Sequence, residues 1–284
     1  MRTLLTGGTG FLGMALLPQL AEHGEVVAMH RPGTSPAAID GVRWIAQDLA
    51  APLSDELPES IDAVIHLAQS RRYREFPEGA VDVHEVNAAA TVRLLDYCRR
   101  TGGSTFTYAS SGAVYAAGPA PVTEGDVPQP GNFYAVSKLA GEQAVEQFGS
   151  LLRAHTLRFF FIYGPGQENM FIPGLIGRVR SGDAVTLAGE DGIHVNPVYV
   201  DDAAAAVMAT LDLTASRTLN VAGPTVVSVR QIAELAGREL QKEPSFALGD
   251  RQPDLVASTE HQVAALGAPA VTFEEGLRRT VEAS

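Results

Sequence analysis

Cysteine is almost missing: Cys98 stands alone among 284 residues, which excludes an intramolecular disulfide and a multi-cysteine zinc site and fits a reducing compartment. Positive charge is in deficit too. With 21 Lys and Arg against 33 Asp and Glu, the net charge is -12, so the long-range field repels phosphate backbones and anionic lipid surfaces. No nucleic-acid or membrane partner is expected. Long hydrophobic runs are absent as well. The opening Met1 to Leu17 is apolar but carries Gly7, Gly8, Gly10 and Gly13, lacks a small-residue cleavage pattern, and falls short of the roughly 20 apolar residues that span a bilayer. A cytoplasmic chain that begins directly with its fold is the expectation. The seven histidines show no spacing suited to a metal, so no metal is expected, and His23, His30 and His155 are assigned to surface or loop positions. What is present, 45% hydrophobic and 19% charged residues, describes a globular protein of one large domain or two modest ones.

Apolar runs of strand length recur at Thr3 to Leu5, Val26 to Met29, Ala63 to Leu67, Thr105 to Ala109 and Thr156 to Ile162. Helix-length amphipathic segments separate them, near Phe11 to Glu22, Val83 to Arg100 and Tyr134 to Phe148, with Gly102-Gly103 as a stop. Strands that read as continuous apolar runs are buried on both faces, which a doubly wound parallel α/β sheet with helical crossovers requires. After Tyr163 the pattern changes. Gly164-Pro165-Gly166 breaks the chain, Ile172 to Arg180 reads as a short helix and Val185 to Ala188 as a strand outside the main sheet. Val195 to Leu213 then returns to strand and helix, Thr218 to Ala222 reads as a strand, and the rest is expected to be mostly short helices. Cys98, in a helix beside Leu94 and Leu95, reads as a small core thiol. Asp201-Asp202 reads as the cap of an alanine-rich helix.

Directly after the first strand stands Thr6-Gly7-Gly8-Thr9-Gly10-Phe11-Leu12-Gly13. Glycines at these spacings permit a tight turn and close backbone approach to a pyrophosphate, whose charge then meets the positive end of the following helix. No Lys-Ser/Thr follows, so this is not a triphosphate-binding loop. A dinucleotide is the expected cofactor. Its first ribose normally meets an acid at the tip of the second strand, but here His30-Arg31 stands in that place. Arg31 is positioned to pair with a 2'-phosphate, which favours NADP over NAD, or else is a solvated loop residue. Asp48, followed by Leu49, would accept from the adenine amino group or serve as a turn residue.

Tyr134 and Lys138 share one helix face at i, i+4 spacing, with Ser110-Ser111 at the end of an apolar strand upstream. A neighbouring ammonium and a cationic nicotinamide would favour the phenolate, making Tyr134 a usable acid/base. With the glycine loop, these residues resemble the extended short-chain dehydrogenase/reductase family, which includes nucleotide-sugar epimerases, dehydratases and ketoreductases. The resemblance covers nearly the whole chain through His66-Leu67-Ala68, Asn87, Ser110-Ser111-Gly112-Ala113-Val114-Tyr115, Leu157-Arg158, Tyr163-Gly164-Pro165-Gly166 and Tyr199-Val200-Asp201-Asp202. It implies a Rossmann-type dinucleotide domain at 1–163 plus 195–222 and a smaller, discontinuous substrate domain at 164–194 plus 223–284. It further implies that Ser111 bonds the substrate oxygen, Tyr134 moves its proton, Lys138 holds the ribose and tunes Tyr134, and Asn87 positions Lys138 through water. Leu67 and Ala68 would line the cofactor. A homodimer through the helices near Val83 to Arg100 and Tyr134 to Phe148 follows from the same resemblance.

Departures from the family pattern narrow the reading. The dehydratase branch has an acidic pair where Gly112-Ala113 stands. Phe161 replaces the Asn typical of nucleotide-sugar epimerases, and Val195 replaces an Arg for the diphosphate. Asn169 matches a substrate contact, and His194 or Arg251 would stand in for the missing cation. Met170 and Phe171 line a substrate pocket or anchor the insertion. The expectation is hydride transfer at a secondary alcohol or ketone carbon of a small molecule, as ketoreductase or epimerase, with a non-catalytic NADP-sensing protein as the alternative.

Overall fold

Apolar runs too short to be helices pair as strands, and the segments between them fold back as helices. The computed structural model describes residues 1–250 and 252–283, so Arg251 lies outside the described residues. The chain runs β1 (Arg2–Thr6), α1 (Phe11–His23), β2 (Glu25–His30), β3 (Val42–Ala46), β4 (Ala63–His66), α2 (Ala80–His84), a π turn at Glu85–Ala89, α3 (Ala90–Arg100) and β5 (Thr105–Ser111). Then come α4 (Phe133–Phe148), β6 (Arg153–Phe159), α5 (Phe171–Ser181), β7 (Val185–Ala188), β8 (His194–Val195) and α6 (Val200–Ala209). The last elements are β9 (Arg217–Val221), β10 (Val227–Ser228), α7 (Val229–Leu240), β11 (Phe246–Gly249), α8 (Glu260–Leu266) and α9 (Phe273–Glu282).

Seven strands form one sheet in the order β3-β2-β1-β4-β5-β6-β9, and the pairings from β3 across to β5 are parallel. Leu4 stands in register with Val27 on one side and Val64 on the other, all three fully buried. This is a Rossmann-type doubly wound sheet, accompanied by a smaller, discontinuous portion. The strand order reverses between β1 and β4, and in open α/β sheets the crevice beyond the strand ends at such a reversal is where ligands bind.

The chain divides into two compact units. One holds Met1–Val114, Pro128–Arg158 and Ala204–Leu219 and contains a core that includes Leu4, Val64, Leu94, Cys98, Phe106 and Tyr108. Burial pushes the Cys98 thiol up to about 12, so it stays a protonated core group. The other unit holds Tyr115–Val127, Phe159–Ala203 and the described residues from Asn220 onward. In it β7 pairs in parallel with β11, β8 pairs antiparallel with β10, and α7 packs against both α5 and α9. Ser228 starts α7 with a reciprocal capping box to Gln231. No helix among the described residues is long and apolar enough to cross a membrane.

Four local expectations need correction. The single helix from Val83 to Arg100 is interrupted by the π turn, which carries buried Asn87. The strand expected to run to Ile162 ends at Phe159, because Phe161 adopts a left-handed backbone with φ 46° that an extended strand cannot accommodate. His155 is not on the surface but fully buried within β6, where neither ring nitrogen has a partner. Asp202 does not cap α6. It lies in the first turn and accepts from the backbone nitrogens of Ala270 and Val271 at 2.8 and 3.0 Å.

Candidate active site

Two loops leave the sheet where its order reverses, one after β1 and one after β4, and they touch. Gly7 has φ 74°, and a Cβ there would lie 2.7 Å from the backbone nitrogen of Ala68. A Cβ on Gly13 would overlap the Gly7 carbonyl, so the helix start can lie close to the strand end only with glycine at both places. Gly10 caps α1 without a side chain, and Phe11 and Leu12 open the helix with no acid in its first turn. The result is a backbone cradle facing an uncapped, 13-residue helix, which fits the pyrophosphate of a dinucleotide. Buried His66 braces the cradle from below. Thr91 Oγ1 donates to Asn87 O, so it accepts from His66 Nε2, while His66 Nδ1 accepts from Thr6 Oγ1 at 2.7 Å. Burial, helped by the charge of Lys138, pushes the His66 pKa down to about 3 and keeps the ring neutral.

Asp48 and Leu49 lie beyond β3. Asp48 is exposed and its Oδ1 accepts from Ala50 N at 3.0 Å, a turn contact, while Leu49 is buried in the core. Arg31 is exposed, and its bonded atom is its carbonyl, which accepts from Thr34 N at 3.1 Å and Thr34 Oγ1 at 2.7 Å.

Helix α4 begins at Asn132, whose side chain accepts from Ala135 N, and places Tyr134, Lys138 and Glu142 along one face. Ser111, at the end of β5, hydrogen-bonds Tyr134 and accepts from Ala113 N, beside buried Gly112. Tyr134 Oη also donates to Gln69 Oε1 at 3.1 Å, and its ring lies 5.2 Å from that of Tyr73. The expected lowering of the Tyr134 pKa by Lys138 is not what the geometry produces. Burial dominates and pushes the phenol up to about 12, with the Ser111 bond acting in the other direction. Lys138 donates instead to the Ala109 carbonyl at 2.8 Å and lies 5.2 Å from the Tyr108 ring centroid. Its own pKa is pushed down to about 7 by burial, opposed by the carboxylate of Glu142.

Beneath this face lies a buried charge cluster. Glu142 accepts from Ser110 Oγ and from Arg158, with Arg158 Nη2 at 2.6 Å and both side chains 7% exposed. The neighbouring serines thus divide their work: Ser110 is tied to the core, and Ser111 faces Tyr134. Asn87 is fully buried in the π turn. Its Oδ1 accepts from Ser70 N at 2.8 Å and its Nδ2 donates to Ser137 Oγ at 2.9 Å, joining the β4 loop to α4. Gln69, Tyr73 and Glu142 are site residues that sequence reading passed over. Only Glu142, one turn after Lys138, left a readable signal.

The candidate substrate residues Phe161, Asn169 and His194 belong to the other unit. Phe161 packs its ring 5.2 Å from Phe171, and Asn169 is exposed with φ 56°. His194 lines a cavity of about 690 Å³ with Pro119, Glu190, Asp191, Pro253 and Asp254. Its Nδ1 lies 3.2 Å from Asp254 Oδ1, so this ring nitrogen is engaged within the same unit.

A glycine cradle at the reversal of a doubly wound sheet, with Ser111, Tyr134 and Lys138 in the same unit, is the arrangement of a Rossmann-type dinucleotide-binding protein. The chain belongs to the NAD dependent epimerase/dehydratase family, whose profile matches residues 3–222. It is 33% identical over 217 residues to a 2-alkyl-3-oxoalkanoate reductase of Stenotrophomonas maltophilia, covering 72% of this chain and 64%, less than two thirds, of that relative. Among solved structures it resembles MoeE5 in complex with UDP-glucose and NAD, with TM-score 0.84, 29% identity, and 99% and 98% of the two chains covered. It also resembles the UDP-glucose 4-epimerase of Thermus thermophilus in complex with NAD, with TM-score 0.84, 28% identity, and 100% and 98% covered.

These structures overturn the expectation of NADP. Both hold NAD. The inference from Arg31 failed because an exposed guanidinium on a turn closed by its own carbonyl is well hydrated and supplies no buried partner for a phosphate.

Proposed function

We propose that the chain transfers hydride between NAD and a secondary alcohol or ketone carbon of a sugar or nucleotide sugar, with ketone reduction and epimerisation as two net outcomes of that step. The observation that carries this reading is the contact of Ser111 with Tyr134, with Lys138 one turn along α4 and the glycine cradle in the same unit. Support for the substrate class comes from MoeE5, whose structures contain UDP-glucose or UDP-glucuronic acid together with NAD. Residues 1–163 plus 195–222 would bind the dinucleotide, and 164–194 plus 223–284 the substrate.

Gly7, Gly10, Gly13 and the start of α1 would hold the pyrophosphate, and Lys138 the ribose beside the nicotinamide. Bound NAD supplies the hydride acceptor, and in reduced form the donor. Ser111 donates a hydrogen bond to the substrate oxygen. Tyr134 gives its proton to that oxygen during reduction and takes it back during oxidation, so charge on oxygen never develops unaided. The high pKa of Tyr134 sets it as a phenol to donate in the reductive direction, whereas oxidation of an alcohol starts from the phenolate, which the positive charge of a bound oxidised nicotinamide would favour. Gly112 and Ala113 carry no acid, which argues against water elimination.

The test is incubation with UDP-glucose and NAD, following UDP-galactose by NMR and reduced cofactor by absorbance. The mass of any copurified dinucleotide is measured alongside. Tightly retained NAD with inverted sugar identifies an epimerase; released reduced cofactor identifies a dehydrogenase or ketoreductase. Tyr134→Phe should lower turnover roughly 100-fold or more while NAD still binds. Near-normal turnover in that variant would reject the assignment of Tyr134.

The same reading includes a cytoplasmic homodimer. Val92 on α3 and Val136 on α4 are 47% and 45% exposed, apolar positions suited to isologous helix packing. A monomeric mass at micromolar concentration would contradict it.

A further inference from the structure

The Tyr134 hydroxyl has one proton to donate, and here it goes to Gln69 Oε1. Gln69 directly follows the Ala68 contact with Gly7, on a loop held by Asn87 at Ser70 and by Tyr73 against the Tyr134 ring. Its amide nitrogen has no partner among the described residues, so the carboxamide offers a spare donor beside its engaged oxygen. An alcohol or ketone that reacts at Tyr134 must take over the tyrosine proton, and Gln69 Oε1 then loses its donor. An acceptor left without its donor beside this half-buried phenol weakens binding unless the substrate restores a hydrogen bond. The group placed to do so is a hydroxyl on the carbon next to the reacting one, because vicinal oxygens lie about a hydrogen-bond length apart. Such a hydroxyl donates to Oε1 and accepts from the spare amide.

We infer that Gln69 is a specificity residue of the Tyr134 site, selecting substrates that carry a hydroxyl beside the reacting carbon, as in a sugar ring, over simple ketones. The inference rests on the hydride-transfer reading above, but not on the nucleotide part of the substrate.

Two probe pairs differ only by that hydroxyl: UDP-glucose against UDP-3-deoxyglucose with NAD, and 3-hydroxy-2-butanone against 2-butanone with NADH. In the wild type, kcat/KM should favour the hydroxylated member by roughly 10-fold to 100-fold, the range one unmade hydrogen bond produces. In Gln69→Leu the ratio should fall toward about 1, mainly through the hydroxylated member. Gln69→Asn, which keeps the amide but shortens its reach, should lie between. Circular dichroism and NAD affinity check that both variants are folded. Selectivity that survives in Gln69→Leu overturns the inference and leaves the proposed function standing. Gln69-dependent selectivity in the butanone pair, with no reaction of either UDP-sugar, upholds the inference and overturns the nucleotide-sugar reading. Absence of reaction in both pairs overturns both.

Discussion

Removing one member of the Glu142–Arg158 pair should be among the most damaging single changes available in this chain. Both side chains are 7% exposed, Arg158 reaches both carboxylate oxygens, and Ser110 uses the same carboxylate. Arg158→Met leaves a carboxylate in a dry site, with Ser110 and the Lys138 charge as its remaining compensation. Breaking a buried pair in this way costs about 3 to 5 kcal/mol. At about 2 to 4 °C per kcal/mol for a larger domain, Tm should fall by roughly 6 to 20 °C. Glu142→Gln keeps an acceptor for Ser110 but strands the guanidinium, and should cost a similar amount. The double variant removes both charges together, so it should be less destabilised than the two single losses added, by about 2 kcal/mol or more. Thermal and urea unfolding at neutral pH give all three values. Single losses below about 1 kcal/mol, or strict additivity, would refute the argument that the pair is dry and coupled. A second readout separates packing from electrostatics. Glu142 is the group that holds the Lys138 pKa up against burial, so Glu142→Gln should move the Lys138 limb of the pH–activity profile below about 7. The other groups beside that ammonium, Tyr108 and His66, are unchanged in the variant.

Gly13→Ala should abolish detectable NAD binding, measured by calorimetry, because its Cβ would overlap the Gly7 carbonyl and push the cradle open; retained affinity would mean the loop adapts. Arg31→Ala should leave the NAD dissociation constant within about 2-fold, since the exposed side chain contributes little through hydrated charge. His155 has its pKa pushed down to about 4 by burial, then by Arg153 and Arg217, so the unfolded chain binds the extra proton between about 4 and 6.5. Stability should therefore fall as pH drops through that window, and His155→Leu should flatten the Tm profile there without lowering Tm at pH 7.

The parallel sheet was legible because strands buried on both faces carry uncharged, largely apolar runs, as Thr3 to Leu5, Ala63 to Ile65 and Thr105 to Ala109 do. The Tyr134–Lys138 face was legible because helical spacing is local information. What escaped depends on partners distant in sequence. Gln69 meets Tyr134 across 65 residues, and Arg158 meets Glu142 from a different element, so nothing in either neighbourhood announces the contact. The π turn escaped because its periodicity differs from that of the flanking helices by one residue, and the reason for it, the two obligations of Asn87, lies outside the helix. His155 was misplaced because its strand begins at Arg153, earlier than its apolar run suggests.

Asn87 has a consequence for the timescale of motion. Loops usually exchange their amide hydrogens within the first moments of deuteration, since their backbone groups face water. The amide of Ser70 is different: it is buried and donates to a side chain that is itself fully enclosed and tied to α4 through Ser137. Exposing it requires the π turn, the β4 loop and the start of α4 to open together. Ser70 should therefore retain deuterium-exchange protection typical of the central strands, while Arg71, the next residue along and exposed, exchanges at loop rates.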